Sequence, residues 1–434
     1  MKIIYIGDNR NRGNYGCRAT STALSMLVSH NNKIVGRVKG DSTYFYPDVF
    51  YFKYFPKWLY KSVKKLPYWN HIRTILSRVM FKVGRKIGKP EWFDFVSLDM
   101  ERSIKNLKKC LPANPNLEQL DFEKKDYDGI VINGEGSFIF CTPQWREPLV
   151  ISMCIYQALK HHKKVFFMNA MFSDRPGNQR NIQTLALVND LLSKSNVVSV
   201  RESFSFEYAK KYLSDTNPII IPDALFSWYS LINDSHKVTN GKYYLAHAAE
   251  SDEYYECLDF TKPYILVSGS SSNMLGENMN KTIQAYSSLV KELKNLNYNI
   301  YLIQVCEGDF FLKEVSEFTN TPLISMETPI LAAAKILSNA RVYVSGRYHP
   351  AIMASLGGTP CIFMGSNSHK TLSLQELMNY EIVKEYCAIP TNEDIIEIVH
   401  RVVEYADNDN MRIMIKNRAF ALSNESIKMK DLIK

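Results

Sequence analysis

The stretch from Arg341 to Met364 constrains this chain more than any other. Arg341-Val342-Tyr343-Val344 is short, β-branched and aromatic, and reads as a buried strand. Ser345-Gly346-Arg347-Tyr348-His349-Pro350 follows, and Pro350 suits the first turn of a helix, where its missing N–H costs nothing. Gly357-Gly358 suits that helix's C-cap, Pro360 blocks continuation, and Cys361-Ile362-Phe363-Met364 reads as a second apolar strand. A strand–loop–helix–strand unit of this kind belongs to a parallel α/β sheet, whose ligands bind at the carboxyl ends of the strands. Here that edge carries Arg347 and His349 to a helix N-terminus, where anions are favoured. A guanidinium adds a planar fork for carboxylate or phosphate. The plainer alternative pairs Arg347 with a structural acid and makes His349 a capping residue.

The same alternation runs along the whole chain. Ile3–Ile6 is a first strand opening into Gly7-Asp8…Asn14-Tyr15-Gly16, with a helix over Ser21–His30. This loop is neither a GxGxxG fingerprint nor a Walker loop, and Asp8 also suits a turn. Gly129–Ile132 is a strand ending in Asn133-Gly134-Glu135-Gly136-Ser137-Phe138, where Glu135 is either ligand-facing or a cap. Lys164–Met168 is a strand, with a polar loop expected over Asn169–Arg180. Val197–Val200 ends in Arg201-Glu202-Ser203, with Ser203 suited to cap the next helix. The polar run Asn233–Tyr243 is the expected linker. Beyond it the pattern restarts with Tyr264–Val267 and a small-residue loop at Ser268–Asn273. Helices are expected over Thr282–Asn295, Pro329–Leu337 and Leu374–Met378. The expectation is an α/β protein of two Rossmann-like domains facing a cleft, GT-B-like. Residues 1–232 are expected to form the N-terminal domain on the acceptor side, and 244–434 the donor side with C-terminal helices.

Composition narrows the class. The chain has 434 residues, 46% hydrophobic and 22% charged, enough for a large core. Its eight cysteines are scattered with no CxxC or metal-ligand spacing, which reads as reduced thiols and no metal centre. The first apolar run is too short for a signal peptide, and no run approaches a membrane span. A cytoplasmic protein is expected, peripheral on the inner face of the plasma membrane. The net charge of +9 is concentrated between Val49 and Pro90, where eleven Lys and Arg occur without an acid, interleaved with aromatics such as Trp58 and Trp69. That insertion fits an anionic lipid surface better than nucleic acid. A solvated basic face with inward aromatics is the alternative.

Taken in order, five groups of residues carry a resemblance. They are Gly7-Asp8…Asn14-Tyr15-Gly16, Asp128…Asn133-Gly134-Glu135-Gly136-Ser137 and Ser199-Val200-Arg201-Glu202…Ser205. Pro222-Asp223-Ala224-Leu225-Phe226 and Ser345-Gly346-Arg347-Tyr348-His349…Gly358-Thr359-Pro360…Lys370 complete the series. The series resembles the polysaccharide pyruvyl transferase family over roughly Ile3 to Met378. Asn133-Gly134-Glu135-Gly136 replaces the family's glycine-rich strand end, and Asn169-Ala170-Met171-Phe172 its glycine-proline loop, so the chain reads as a divergent member. The resemblance implies a GT-B-like fold. It also implies transfer of a pyruvyl group from phosphoenolpyruvate to a sugar hydroxyl of a cell-surface glycan or its lipid-linked precursor, as in capsule or exopolysaccharide synthesis.

The residue chemistry fits that reaction. Phosphoenolpyruvate brings a carboxylate and a phosphate, and Arg201, Arg347, His349 and Lys370 are cations on ligand-facing loops. Attack of a hydroxyl at its C2 needs protonation of the methylene carbon, work for a histidine. His349 is therefore the expected acid or phosphate partner, with Arg347 and Arg201 holding the donor's anionic groups. Asp8 or Glu135 would take the acceptor proton. Asn14, Tyr15, Gly16, Gly134, Gly136, Ser137, Ser270 and Ser271 are expected to line the substrates with Lys370. No cofactor is expected beyond the donor substrate. A GT-B glycosyltransferase using a nucleotide-activated sugar, such as a CMP-linked acidic sugar, fits the same charges. A non-catalytic glycan- or lipid-binding protein leaves His349 without a role.

Overall fold

The computed structural model describes residues 1–40, 94–111, 115–234, 258–272 and 279–434, with scattered positions from 58 to 87. Most of the basic segment 49–90 and of the expected linker 233–243 lies outside the described residues. The chain forms two compact units. The first comprises Met1–Asn9, Val28–Ile220 and Lys430–Lys434; the second comprises Arg10–Leu27 and Ile221–Met429. The sequence pattern predicts domains of residues 1–232 and 244–434, whereas Arg10–Leu27 and residues 221–232 belong to the second unit and Lys430–Lys434 to the first.

The first unit is built on a six-stranded parallel sheet in the order β2-β1-β3-β4-β5-β6. Its strands are β1 (Lys2–Asp8), β2 (Lys33–Lys39), β3 (Gly129–Phe140), β4 (Lys164–Asp174), β5 (Val197–Val200) and β6 (Pro218–Ile220). In the central strands Ile130, Val131, Ile132, Val165 and Phe167 are fully buried, as a parallel sheet covered on both faces requires. Helices Met100–Cys110, Arg146–Lys160, Ile182–Ser193 and Ser203–Tyr212 connect the strands. Phe138, Phe167 and Phe172 form an aromatic cluster, Phe138 meeting Phe167 edge-on with centroids 5.0 Å apart.

Two expectations change here. The polar stretches Asn133–Phe138 and Asn169–Asp174 are not loops: β3 and β4 run straight through them. Their pairing register shifts between Glu135 and Phe138, and Glu135 and Asn169 both hold positive φ, +38° and +59°. Gly134 packs where a β-carbon would lie 2.7 Å from the Ala170 Cβ, so only glycine permits this strand spacing. Ser203 is not the cap of its helix either; Glu202 precedes it and accepts from the Ser205 N–H at 3.0 Å. Its longer carboxylate reaches the same orphan donor.

The second unit has a parallel sheet in the order β12-β11-β10-β7-β8-β9. These strands are β7 (Tyr264–Ser270), β8 (Asn299–Ile303), β9 (Leu323–Ile324), β10 (Val342–Gly346), β11 (Cys361–Met364) and β12 (Glu385–Tyr386). The unit from strand β10 through helix Tyr348–Leu356 to β11 matches the sequence reading, with Gly357 as C-cap and Gly358 at φ +88°. The start of helix Tyr15–Asn31 joins this unit: the Tyr15 N–H donates to the Val305 carbonyl at 2.9 Å, and Asn14 bridges to Cys306. No helix of the described residues is long and apolar enough to cross a membrane.

Candidate functional site

Each sheet has one place where the strand order reverses, and in open α/β sheets that crevice collects ligands. In the second unit the reversal falls between β7 and β10. Ser345 at the end of β10 hydrogen-bonds Ser268 of β7 at 2.7 Å. Gly346 sits where a β-carbon would lie 2.5 Å from Ser270, so the two strand ends close up. From this edge the chain turns into helix Tyr348–Leu356, which carries His349 in its first turn.

His349 is fixed by Asp223. Its Nε2 lies 3.2 Å from Asp223 Oδ2, and Asp223 has no exposed surface. The other carboxylate oxygen accepts from the Thr20 hydroxyl at 2.9 Å and from the Leu225 N–H at 3.0 Å. A carboxylate so held fixes the tautomer and orientation of its imidazole and supports an imidazolium. Gly16 packs against the Nδ1 side of His349: a β-carbon there would stand 2.7 Å from Nδ1. Glycine at this position leaves room beside that nitrogen.

Arg347 is placed differently from the expected open clamp. It is 8% exposed, and its Nη2 donates to Asp309, which is completely buried. This is the structural-acid arrangement. Burial by itself lowers the Arg347 pKa, but the Asp309 charge and hydrogen bond more than offset it, so the guanidinium stays charged. Asp309 is anchored further by the Val305 N–H at 3.2 Å. The buried Nε of Arg347 makes no hydrogen bond among the described residues, leaving one donor of the fork unused.

Ser271 and Lys370 come together through Asn367, whereas the Ser270 hydroxyl donates to the Gly365 carbonyl. The Lys370 ammonium donates to Asn367 Oδ1 at 2.8 Å, and the Ser271 hydroxyl donates to the same oxygen at 3.2 Å. Asn14 and Tyr15 are occupied structurally. Asn14 Oδ1 accepts from the Cys17 N–H at 3.1 Å, and the buried Tyr15 hydroxyl donates to the Ser325 carbonyl. Burial raises the Tyr15 pKa well above the ordinary phenol range, so it stays protonated.

The first unit has its own polar cluster at its reversal point, between β1 and β3. Glu135 is 5% exposed, and its Oε1 accepts from Asn9 Nδ2 at 2.8 Å and from Asn133 Nδ2 at 2.7 Å. Asn169 Nδ2 in turn donates to Asn133 Oδ1 at 3.1 Å. Gly134, Gly136 and Ser137 flank this chain of amides on β3. Asp8, at the end of β1, has Arg37 Nη1 3.5 Å from its Oδ2. Arg201 begins the turn after β5, is 2% exposed, and directs Nη2 toward the Met171 sulfur at 3.8 Å.

Asp223, Asn9 and Asp309 are among the residues of these clusters that the sequence does not single out as site residues. Asp223 stood in the quoted Pro222–Phe226 series, and its Pro-Asp-apolar pattern is a capping signal. Asn9 lay inside the first glycine loop. Nothing in the sequence marks Asp309, whose importance comes from burial alone.

The fold has close parallels among solved structures. The UDP-GlcNAc 2-epimerase from Neisseria meningitidis bound to UDP-GlcNAc is 13% identical, with coverage of 100% of this chain and 99% of that one and a TM-score of 0.51. The UDP-N-acetylglucosamine 2-epimerase from Rickettsia bellii is 14% identical, with coverage of 100% and 96% and a TM-score of 0.51. At such identities the likeness is one of fold, the GT-B-like architecture expected from the sequence. No curated protein matches the chain. A sequence profile described as Polysaccharide pyruvyl transferase matches residues 14–368, a span holding His349, Asp223, Arg347 and Glu135. The chain therefore belongs to the polysaccharide pyruvyl transferase family.

Proposed function

We propose that this transferase moves the pyruvyl group of phosphoenolpyruvate onto a sugar of a surface glycan or its lipid-linked precursor. The observation that carries the reading is the buried Asp223 holding His349 at the reversal point of the second sheet. His349 protonates the methylene carbon of phosphoenolpyruvate, and the resulting cationic C2 accepts a sugar hydroxyl, whose proton passes to a carboxylate. Asp223 stabilises the imidazolium form that donates the proton. A second hydroxyl of the same sugar then displaces phosphate from C2 and closes the ketal, its proton returning to His349. Glu135 is the carboxylate assigned to the acceptor proton, since Asp8 already faces Arg37. Arg347 with Lys370, and Arg201, supply positive potential for the donor's carboxylate and phosphate.

The reaction is assigned to the cytoplasmic face of the plasma membrane, with segment 49–90 touching anionic lipid. Its eleven cations and absence of acids suit that surface. Among its described residues Ile72, Ile75, Leu76, Val79, Val83 and Ile87 are exposed at helical spacing.

The test is a phosphate-release assay with phosphoenolpyruvate and a glycan acceptor, with the product examined by NMR for a ketal carbon. Acceptor-dependent release that His349→Ala abolishes supports the reading. Turnover of a nucleotide sugar without turnover of phosphoenolpyruvate would replace it with glycosyl transfer.

A further inference from the structure

A cavity of about 980 Å³ lies within the first unit, beyond the carboxyl end of β3. Three helices begin at its wall. Asp99 and Arg102 belong to the start of Met100–Cys110, Arg146 opens Arg146–Lys160, and Asn181 caps Ile182–Ser193. Each first turn adds partial positive charge and backbone N–H groups.

The full charges point the same way. Among the described residues two carboxylates line the cavity, and both are engaged. Asp94 is gripped by Arg146, with Nη2 2.8 Å from Oδ1, and both side chains are buried. Asp99 Oδ1 accepts from the Arg102 N–H at 3.0 Å as the helix cap. That leaves Lys82, Lys86 and Arg102, all exposed on the lining, and none has an ion pair among the described residues.

An independent observation comes from the cavity floor. Thr184 lines it with no exposed surface, and its hydroxyl has no hydrogen-bond partner among the described residues. A buried hydroxyl left without a partner is costly, and a bound polar group removes that cost.

We propose that this cavity binds the phosphate of an organophosphate ligand, using residues other than those around His349. Lys82, Lys86 and Arg102 neutralise the phosphate, and the Thr184 hydroxyl donates to one of its oxygens. Val96, Leu98 and Leu149 give the cavity an apolar wall that suits a hydrocarbon portion. A lipid phosphate and a free phosphate share the polar half of this chemistry, and only the lipid uses the wall. The assignment stands independently of pyruvyl transfer.

Calorimetric titration of the full chain with inorganic diphosphate, and with monomeric dodecyl phosphate, tests it. The variants are Lys82→Glu combined with Lys86→Glu, Thr184→Val, and His349→Ala. The charge reversal should weaken binding of both probes about tenfold or more. Thr184→Val should weaken it while leaving the thermal midpoint at or above that of the parent, because the hydroxyl it removes has no protein partner. His349→Ala should bind as the parent does. Tighter binding of dodecyl phosphate than of diphosphate supports the site with a lipid source; equal affinity supports it with a soluble one. Absence of binding to the parent, affinity within twofold after charge reversal, or loss confined to His349→Ala would overturn the proposal.

Discussion

Asp223 Oδ2 sits 3.2 Å from His349 Nε2, 126 residues along the chain, and its other oxygen is held by Thr20 and by the Leu225 N–H. The pair is thus supported by three separate segments of one unit. Nothing about the imidazole's orientation is left to its own helix.

His349→Ala should lower kcat by about 10²–10⁴-fold with unfolding parameters unchanged, the range for loss of a general acid. Asp223→Asn keeps the shape but loses the charge that supports an imidazolium, so kcat should fall with little change in KM. Gly16→Ala places a β-carbon 2.7 Å from Nδ1 and should depress kcat as well by displacing the ring. Steady-state kinetics on the three variants checks this. An active His349→Ala would remove His349 from the chemistry.

Arg347→Ala should destabilise the second unit by about 3–5 kcal/mol, because the buried Asp309 loses its counter-charge. The double change Arg347→Ala with Asp309→Ala should recover part of that loss. Urea unfolding read by tryptophan fluorescence and by circular dichroism measures both. If Arg347 only gripped substrate, the single change would leave stability untouched.

Glu135 has both a structural and a proposed proton-accepting role, and two substitutions separate them. Glu135→Gln keeps an oxygen for the Asn9 and Asn133 amides and should hold stability within about 1 kcal/mol while abolishing base function. Glu135→Ala strands both amides and should cost about 2–3 kcal/mol. Retained turnover in Glu135→Gln would exclude it as the base.

The thiols divide by burial. Burial pushes Cys154 and Cys361 up to about 12 and Cys306 up to about 11, so almost no thiolate exists at pH 8. Native iodoacetamide treatment followed by peptide mass spectrometry should leave these three unmodified and label exposed Cys387. Denaturant should open all of them to reaction.

Segment 49–90 should pellet the protein with vesicles containing phosphatidylserine at low salt and release it at high salt. Glutamate in place of Lys57, Lys61, Lys64 and Lys65 should abolish pelleting. Unchanged pelleting of that variant would sink the lipid contact.

Strand and helix order was legible because parallel strands buried on both faces read as apolar runs punctuated by glycine, proline and polar residues. The whole stretch from Arg341 to Met364 is of this kind. Asparagine and glycine normally end a strand, so the sequence pattern ends β3 and β4 at Asn133 and Asn169, short of Phe140 and Asp174. Here the amides satisfy one another, Asn169 on Asn133 and Asn133 on Glu135, so polar residues continue inside the sheet. His349 was visible as a histidine beside a helix start. Its orienting acid and the acid beside Arg347 were not, because those pairings join segments 126 and 38 residues apart. Only packing brings such residues together.

The division of the chain between units has a consequence for how the protein is made. Arg10–Leu27 leaves the ribosome well before its partners Val305 and Ser325 are synthesised. Tyr15 and Ala19, fully buried in the finished protein, must wait as exposed apolar groups. The first unit likewise waits for residues made after the whole second sheet, since Asn32 and Lys164 bond to the carbonyls of Ile433 and Lys434. Neither unit can close as an independent co-translational domain. A gene cut near residue 232 would give two products, each missing a piece that the other carries.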